Sequence, residues 1–518
     1  MKYTTGQTFV SFDRLMDRTA TALRGRVRGA LGYAAPVLID RVVQRVVELG
    51  LPPFAREVSA RMSRGEMPVP SDDTVLDCGD LRLHVGSGRI HIPARRALRH
   101  HVDFAAHWGY CLAAILGGVA SRGIGDAAAL IHDLSESDIL TDGTDENFVA
   151  FCRSGPVTPL RTSPRLLVAA PATMAPSTQP STVAYCRHPL VTLAREARLG
   201  VIGRLRLLAW HLALPVRYAL AVAATPELSL LGREAAYREL AAAVDREGAL
   251  TAVFHTCSSY RSQPLWVRGL SRARSHMVWY AQNWKPTRKL SDDVDADYPT
   301  TRWIRSDVHW VWTESFARYL GGLVPAEIVA VGPLLWRLPP SVGEISRSHE
   351  ILVFDVPAVS DRVMLEANGE VSNYFAPENV QSFLDDVVAL GETLSAERGE
   401  ALAVTLKMKR GYRPDYARTY YEYVDRLVAD GVVGLASAES NLFEIIGESR
   451  LVIAYPFTSP AYVAEYMSVP AIYYDPTGTV QQHDFSDRRG AVGFARDRSG
   501  LQQMASAALR QSGTVGHI

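Results

Sequence analysis

Between residues 351 and 476 the sequence alternates short apolar runs with longer amphipathic ones, and few folds accept that pattern. The runs ILVFDVP (351–357), ALAVTLKMK (401–409), VVGLAS (432–437), RLVIAYP (450–456) and PAIYYDP (470–476) read as strands. The segments between them, at 377–397, 416–431, 441–449 and 459–468, carry helical periodicity. Strands that are apolar throughout and separated by helices predict a parallel, doubly wound sheet. Right-handed crossovers then place any ligand at the carboxyl ends of the strands.

A looser version of the pattern lies upstream. RLLVAAP (165–171), ALTAVFH (249–255), HMVWYAQN (276–283), VHWVWTES (308–315) and EIVAVGP (327–333) read as strands of a second parallel sheet. The first 140 residues differ. Residues 15–66 and 97–135 read as helices, and LRLHV-GSG-RIHI (81–92) alternates around a Gly-Ser-Gly turn as a β-hairpin does. The expected division is a helical extension with a hairpin (1–140), a Rossmann-like domain (141–336), a Pro-containing linker (337–350), a second Rossmann-like domain (351–500) and a tail (501–518). Two such α/β domains leave an active site in the cleft between them.

Charge narrows the ligand without excluding an anionic one. Lys+Arg and Asp+Glu each number 55, which excludes a surface that is basic overall. Only five of the basic residues are lysine, and four of these form two clusters, Lys285 with Lys289 and Lys407 with Lys409. There is no GxxxxGK[ST], no GxGxxG after a strand, no GxSxG and no HExxH, so P-loop, dinucleotide, serine-hydrolase and zinc-protease readings lose their support. The acidic run at 291–297 lacks the Gly and terminal Glu of a calcium loop and reads as solvated charge.

The strand ends supply the candidate residues. Lys407, Lys409 and Arg410 close the second strand of the C-terminal domain, and alternation predicts both lysines on one side. After the fourth strand, Pro456-Phe457-Thr458-Ser459 runs into a helix with Pro460 in its first turn, giving an N-terminus suited to phosphate. Glu439, Ser440 and Asn441 would line the same rim. In the first domain His255 is expected to face the cleft as a general base, with Glu314 and Glu146 as carboxylate candidates. Ser258, Tyr280, Asn283 and Lys285 are expected to contact substrate.

Cys78, Cys111, Cys152, Cys186 and Cys257 are widely spaced without a CxxC pair, which predicts reduced thiols and a cytoplasmic protein. The most apolar segment, 201–224, contains Arg204, Arg206, Arg217 and Pro215. It reads either as a basic, aromatic-bearing helix on the cytoplasmic face of the inner membrane or as a buried hairpin bent at Pro215.

The stretch RLVIAYPFTSPAYVAEYMSVPAIYYDPTG (450–478) resembles the bacterial polysaccharide-biosynthesis proteins named after their PFTS motif. FHTCSSYRSQPLWVRG, HMVWYAQNW, VWTESFARYLGG and LVFDVP look like their upstream segments, so the resemblance covers roughly residues 125–480. The second domain is similar, more distantly, to GT-B sialyltransferases, Kdo transferases and CDP-glycerol glycerophosphotransferases. The resemblance implies a GT-B-like fold and metal-independent glycosyl transfer for capsule or lipopolysaccharide O-antigen assembly. It implies a nucleotide-sugar donor, with a CMP-linked ulosonic acid (Kdo- or sialic-like) ahead of UDP- or GDP-hexoses, and a glycan or lipid-linked glycan acceptor. No cofactor, metal or nucleic-acid partner is expected. Matched by motif, Thr458 and Ser459 would hold the nucleotide phosphate, with Lys407, Lys409 and Arg410 standing where those distant families have His-Pro. A nucleotide-sugar epimerase and a non-catalytic glycan-binding assembly subunit are the alternatives.

Overall fold

The computed structural model describes residues 5–66, 70–120, 127–139, 145–169, 182–197, 199–256, 263–281, 303–340, 348–361, 363, 373–437, 440–480 and 491–514. They form a GT-B-like pair of Rossmann-like domains with a helical N-terminal extension.

The extension carries helices Thr5–Arg24, Ala35–Ser63 and Ala94–Ala120. The expected hairpin is present as β2 (Arg82–His84) and β3 (Ile90–His91), with a third antiparallel strand, β1 (Val75–Asp77), beside it. Phe12, Phe54 and Leu83 share one core with Leu214, Tyr218 and Leu231 of the first domain. The buried Arg41 guanidinium bonds Glu234 at 2.6 and 2.8 Å, and Gln44 Nε2 donates to the Trp303 carbonyl at 2.7 Å. The extension is therefore fused to the first domain through apolar burial and a buried ion pair.

The first domain's sheet has seven parallel strands: β4 (Ala128–Ile131), β5 (Arg165–Ala169), β6 (Val183–Cys186), β7 (Leu250–Thr256), β8 (Arg274–Val278), β9 (Val308–Val311) and β10 (Glu327–Ala330). Their order is β10-β9-β8-β7-β4-β5-β6. Two strands differ from expectation. AALI at 128–131 is the sheet's starting strand, so the domain begins before residue 141 and the expected 97–135 helix gives way to a strand by Ala128. VAYC at 183–186 adds an edge strand next to β5.

The second sheet is parallel too, in the order β13-β12-β11-β14-β15-β16. It comprises β11 (His349–Phe354), β12 (Val404–Lys407), β13 (Gly434–Leu435), β14 (Ser449–Ala454), β15 (Ala471–Tyr474) and β16 (Val492–Ala495). The sixth strand was not anticipated. The expected tail at 501–518 is helical over its described part: helix Arg498–Thr514 buries Leu501, Ala505 and Leu509 in the core it shares with β14. The chain passes from one sheet to the other through the segment between β10 and β11.

Residues 201–224 form one helix, Val201–Ala224, with no bend into a hairpin. A proline at 215 removes the N–H that would bond the carbonyl of residue 211. The Trp108 indole N–H replaces it, donating to the His211 carbonyl at 2.8 Å. The helix buries Leu207, His211, Leu214, Tyr218 and Ala221 along one stripe. Opposite them Val201, Ile202, Leu205, Trp210, Leu212, Val216 and Leu220 are exposed. By length and composition it could cross a membrane.

Candidate functional site

In each sheet the first strand in sequence lies inside the order, with later strands added on both sides. The carboxyl edge splits where the order reverses, between β11 and β14 in the second sheet and between β4 and β7 in the first. Loops leave such a point in opposite directions and open a crevice. Both crevices are cavities here.

The first cavity, about 380 Å³, lies between the domains. Tyr280, following β8, and Arg337, following β10, face Lys407, Lys409, Asn441 and Thr458 of the second domain. Parallel registry sets Lys407 beside Phe354, the last residue of β11. The Lys407 ammonium is buried and donates to the Ser437 carbonyl at 3.2 Å, and desolvation lowers its pKa. β12 ends at Lys407, so the predicted alternation does not reach Lys409. Lys409 is exposed at the rim and its backbone N–H donates to Asp355 at 2.7 Å. Arg410, also exposed, donates to the Tyr416 hydroxyl at 3.2 Å. Neither Lys409 nor Arg410 has an ion-pair partner among the described residues.

Among the described residues Asp355 is the only carboxylate on this lining, and its second oxygen accepts the Tyr420 hydroxyl at 2.8 Å. Burial pushes the Asp355 carboxyl up to about 6. The rim is left cationic. Opposite it begins helix Ser459–Tyr466, whose N-cap Thr458 makes no side-chain capping bond. The Thr458 hydroxyl instead donates back to the Tyr455 carbonyl at 2.8 Å. Fixed cations and a helix start on adjoining strand ends suit a phosphate group.

The other candidates are placed differently. Pro456 and Phe457 are buried and do not line the cavity. Phe457 packs on Tyr473 and Phe494, holding φ at +60°. A left-handed bulky residue is strained, so the motif's Phe anchors the turn that aims Thr458 and Ser459. Asn441 lines the cavity with Ser440 while capping helix Leu442–Gly447, accepting from the Phe443 N–H at 3.0 Å. Glu314 opens helix Glu314–Gly321 and Glu146 opens helix Glu146–Ser154; both are exposed first-turn residues and line neither cavity. Glu439, Ser258, Asn283 and Lys285 lie outside the described residues, as do Lys289, Cys257 and the acidic run at 291–297.

His255 does not face the interdomain cavity. It turns into the second one, about 430 Å³, at the β4/β7 reversal. Its Nδ1 is 3.2 Å from Asp133 Oδ2 and its ring stacks on His132 with centroids 5.4 Å apart. Asp133 has φ +64°, and the Thr256 hydroxyl donates to its carbonyl at 2.7 Å. Burial and the adjacent His255 press His132 down to about 3. The buried Nε2 atoms of both histidines have no hydrogen-bond partner among the described residues. His132 and Asp133 follow directly on β4, and the apolar pattern of 97–135 reads as helix there, so sequence gives no sign of either residue.

A family profile described as "Polysaccharide biosynthesis PFTS motif protein" matches residues 214–505. No curated protein matches the sequence. Among solved structures the chain is similar to TarM, with 12% identity and TM-score 0.33, covering 56% of this chain and 52% of that one; it thus spans about half the length of TarM. It is also similar to the wall teichoic acid polymerase TagF, with 9% identity and TM-score 0.39, covering 81% and 91%. A third is the UDP-GlcNAc 2-epimerase from Methanocaldococcus jannaschii, with 11% identity and TM-score 0.35, covering 74% and 93%.

Proposed function

The chain belongs to the polysaccharide-biosynthesis PFTS-motif family, and from that premise we propose that it is a glycosyltransferase of bacterial surface polysaccharide assembly. The observation that carries this reading is the interdomain cavity. Lys407, Lys409, Arg410 and the start of helix Ser459–Tyr466 converge there on a space closed from the other side by Tyr280 and Arg337. A leaving nucleoside phosphate develops negative charge as the glycosidic bond breaks, and fixed cations with a helix dipole stabilise it without reorganising.

The donor in this proposal is a CMP-linked ulosonic acid, and UDP- or GDP-hexoses are the competing donors. The acceptor is a glycan or lipid-linked glycan, and the enzyme works at the cytoplasmic face of the membrane. The exposed apolar stripe of helix Val201–Ala224 supports that location. His255, with Asp133 behind it, is the proposed base for the acceptor hydroxyl.

Calorimetric titration with CMP, CDP, UDP and GDP tests the reading. Binding led by CMP is the expected result, and a lead for UDP or GDP moves the donor to a hexose. Absence of binding by all four overturns the transferase and leaves a non-catalytic assembly subunit. An epimerase acts on the nucleotide sugar alone, and the second cavity favours transfer to an acceptor.

A further inference from the structure

The second cavity is walled by charge that the first one does not share. Among the described residues two carboxylates line it and both are engaged: Asp133 with His255, and Glu234 with the buried Arg41. Arg45, on the same wall, pairs with Glu48. Arg187, directly after β6, and Arg233 are exposed and have no ion-pair partner among the described residues. The cavity mouth therefore carries two uncompensated guanidinium groups, the side chain best matched to phosphoryl oxygens.

The floor is polar and unsatisfied. His255 is 4% exposed, and its Nε2, like that of His132, is buried without a partner among the described residues. Such an atom costs stability unless something bonds it. With Nδ1–H directed at Asp133, the His255 Nε2 is left as an unsatisfied acceptor on a residue that lines the cavity, suited to a hydroxyl group. Trp266 lines the same space, offering an apolar surface to a sugar ring. The histidines do not assemble a cation site: among the described residues no three His, Cys, Asp or Glu side chains are grouped to hold a metal ion.

We infer that the β4/β7 cavity binds a phosphorylated sugar, with hydroxyls on the His132–His255 floor and the phosphoryl group on Arg187 and Arg233. Calling that ligand the acceptor rests on the transferase reading above; the binding itself does not. The phosphoryl group has two sources, a soluble sugar phosphate or a sugar carried on a lipid diphosphate. The wall holding Arg233 follows helix Val201–Ala224 in the chain and packs against it.

Full-length protein is titrated with glucose 1-phosphate and with farnesyl-diphosphate-linked N-acetylglucosamine. Three further proteins are compared: Arg187→Ala/Arg233→Ala, His132→Gln, and Lys409→Ala/Ser459→Ala. At least one probe binds the wild type, binds at least tenfold more weakly to the arginine variant, and is within twofold of wild type in the Lys409/Ser459 variant. The two arginines are exposed, so that variant keeps its melting temperature; His132→Gln reads the same cavity from its floor and also weakens binding. Tighter binding of the farnesyl probe assigns the lipid source, and tighter or equal binding of glucose 1-phosphate the soluble one. Binding of neither probe overturns the inference. So does wild-type affinity in the arginine variant, or a loss that follows Lys409/Ser459 instead. If these probes bind while every nucleotide fails, the transferase reading falls and the cavity assignment stands.

Discussion

Asp355 Oδ1 accepts the Lys409 backbone N–H at 2.7 Å while its Oδ2 accepts the Tyr420 hydroxyl at 2.8 Å. One buried carboxylate thus holds the cationic rim loop against the end of β11. Its pKa is raised to about 6, desolvation outweighing the two hydrogen bonds. The unfolded chain releases this proton near the ordinary value of about 4. Folding therefore takes up a proton between those values, and stability falls as pH rises through that window. The loss is about 3 kcal/mol across the whole window. Urea unfolding at pH 4, 5, 6 and 7 checks this: Asp355→Asn removes that fall from the profile, and a profile parallel to wild type refutes it.

Lys409→Ala and Ser459→Ala each weaken the preferred nucleotide by about 1–3 kcal/mol, the scale of a charge-assisted hydrogen bond. Calorimetry on each variant measures it, and unchanged affinity in both removes the phosphate assignment.

Phe457 combines a buried ring with a left-handed backbone. Phe457→Ala forfeits the ring at a cost of about 3–5 kcal/mol. Phe457→Gly also loses the ring but relieves backbone strain of about 1–2 kcal/mol. The expected order in urea is wild type, then glycine, then alanine, the reverse of the usual preference for Ala over Gly.

With His255 as base, His255→Ala lowers kcat by about 10²–10⁴-fold and leaves donor affinity unchanged, because His255 does not line the interdomain cavity. Single-turnover assays alongside nucleotide titration separate the two quantities. A loss of donor affinity would contradict the placement.

Replacing the exposed Ile202, Leu205, Val216 and Leu220 by serine abolishes flotation with anionic liposomes while the melting temperature stays put. Deleting the whole helix is a poorer test, since it would strip Leu207, Leu214 and Tyr218 from the cores they fill.

Legibility in the sequence followed how strands were flanked. In the second domain Gly, Pro and polar turns bracket each apolar run, and the five strands lie where the pattern predicts them. AALI follows a long apolar helix closely. A strand buried on both faces has no alternation to separate it from buried helix, so β4 was lost and His132 and Asp133 with it. Lys407, Lys409 and Thr458 were legible because strand ends are. Asp355 was not: within LVFDVP a lone acidic residue gives no sign that it will bond a backbone N–H more than fifty positions away. Phe457 was misplaced because sequence proximity to Thr458 says nothing about which side of the turn a ring occupies.

The single passage of chain between the sheets has an evolutionary consequence. Every second-domain residue on the interdomain cavity lies between Phe354 and Pro460, and every residue on the β4/β7 cavity lies between Arg45 and Trp266. The β4/β7 surface is encoded on one stretch of gene and the second domain's part of the interdomain surface on another, the first domain adding Tyr280, Ala281, Leu335 and Arg337 to the latter. A recombination joint within residues 337–350 would exchange the second domain's share of the interdomain surface while leaving the β4/β7 surface untouched.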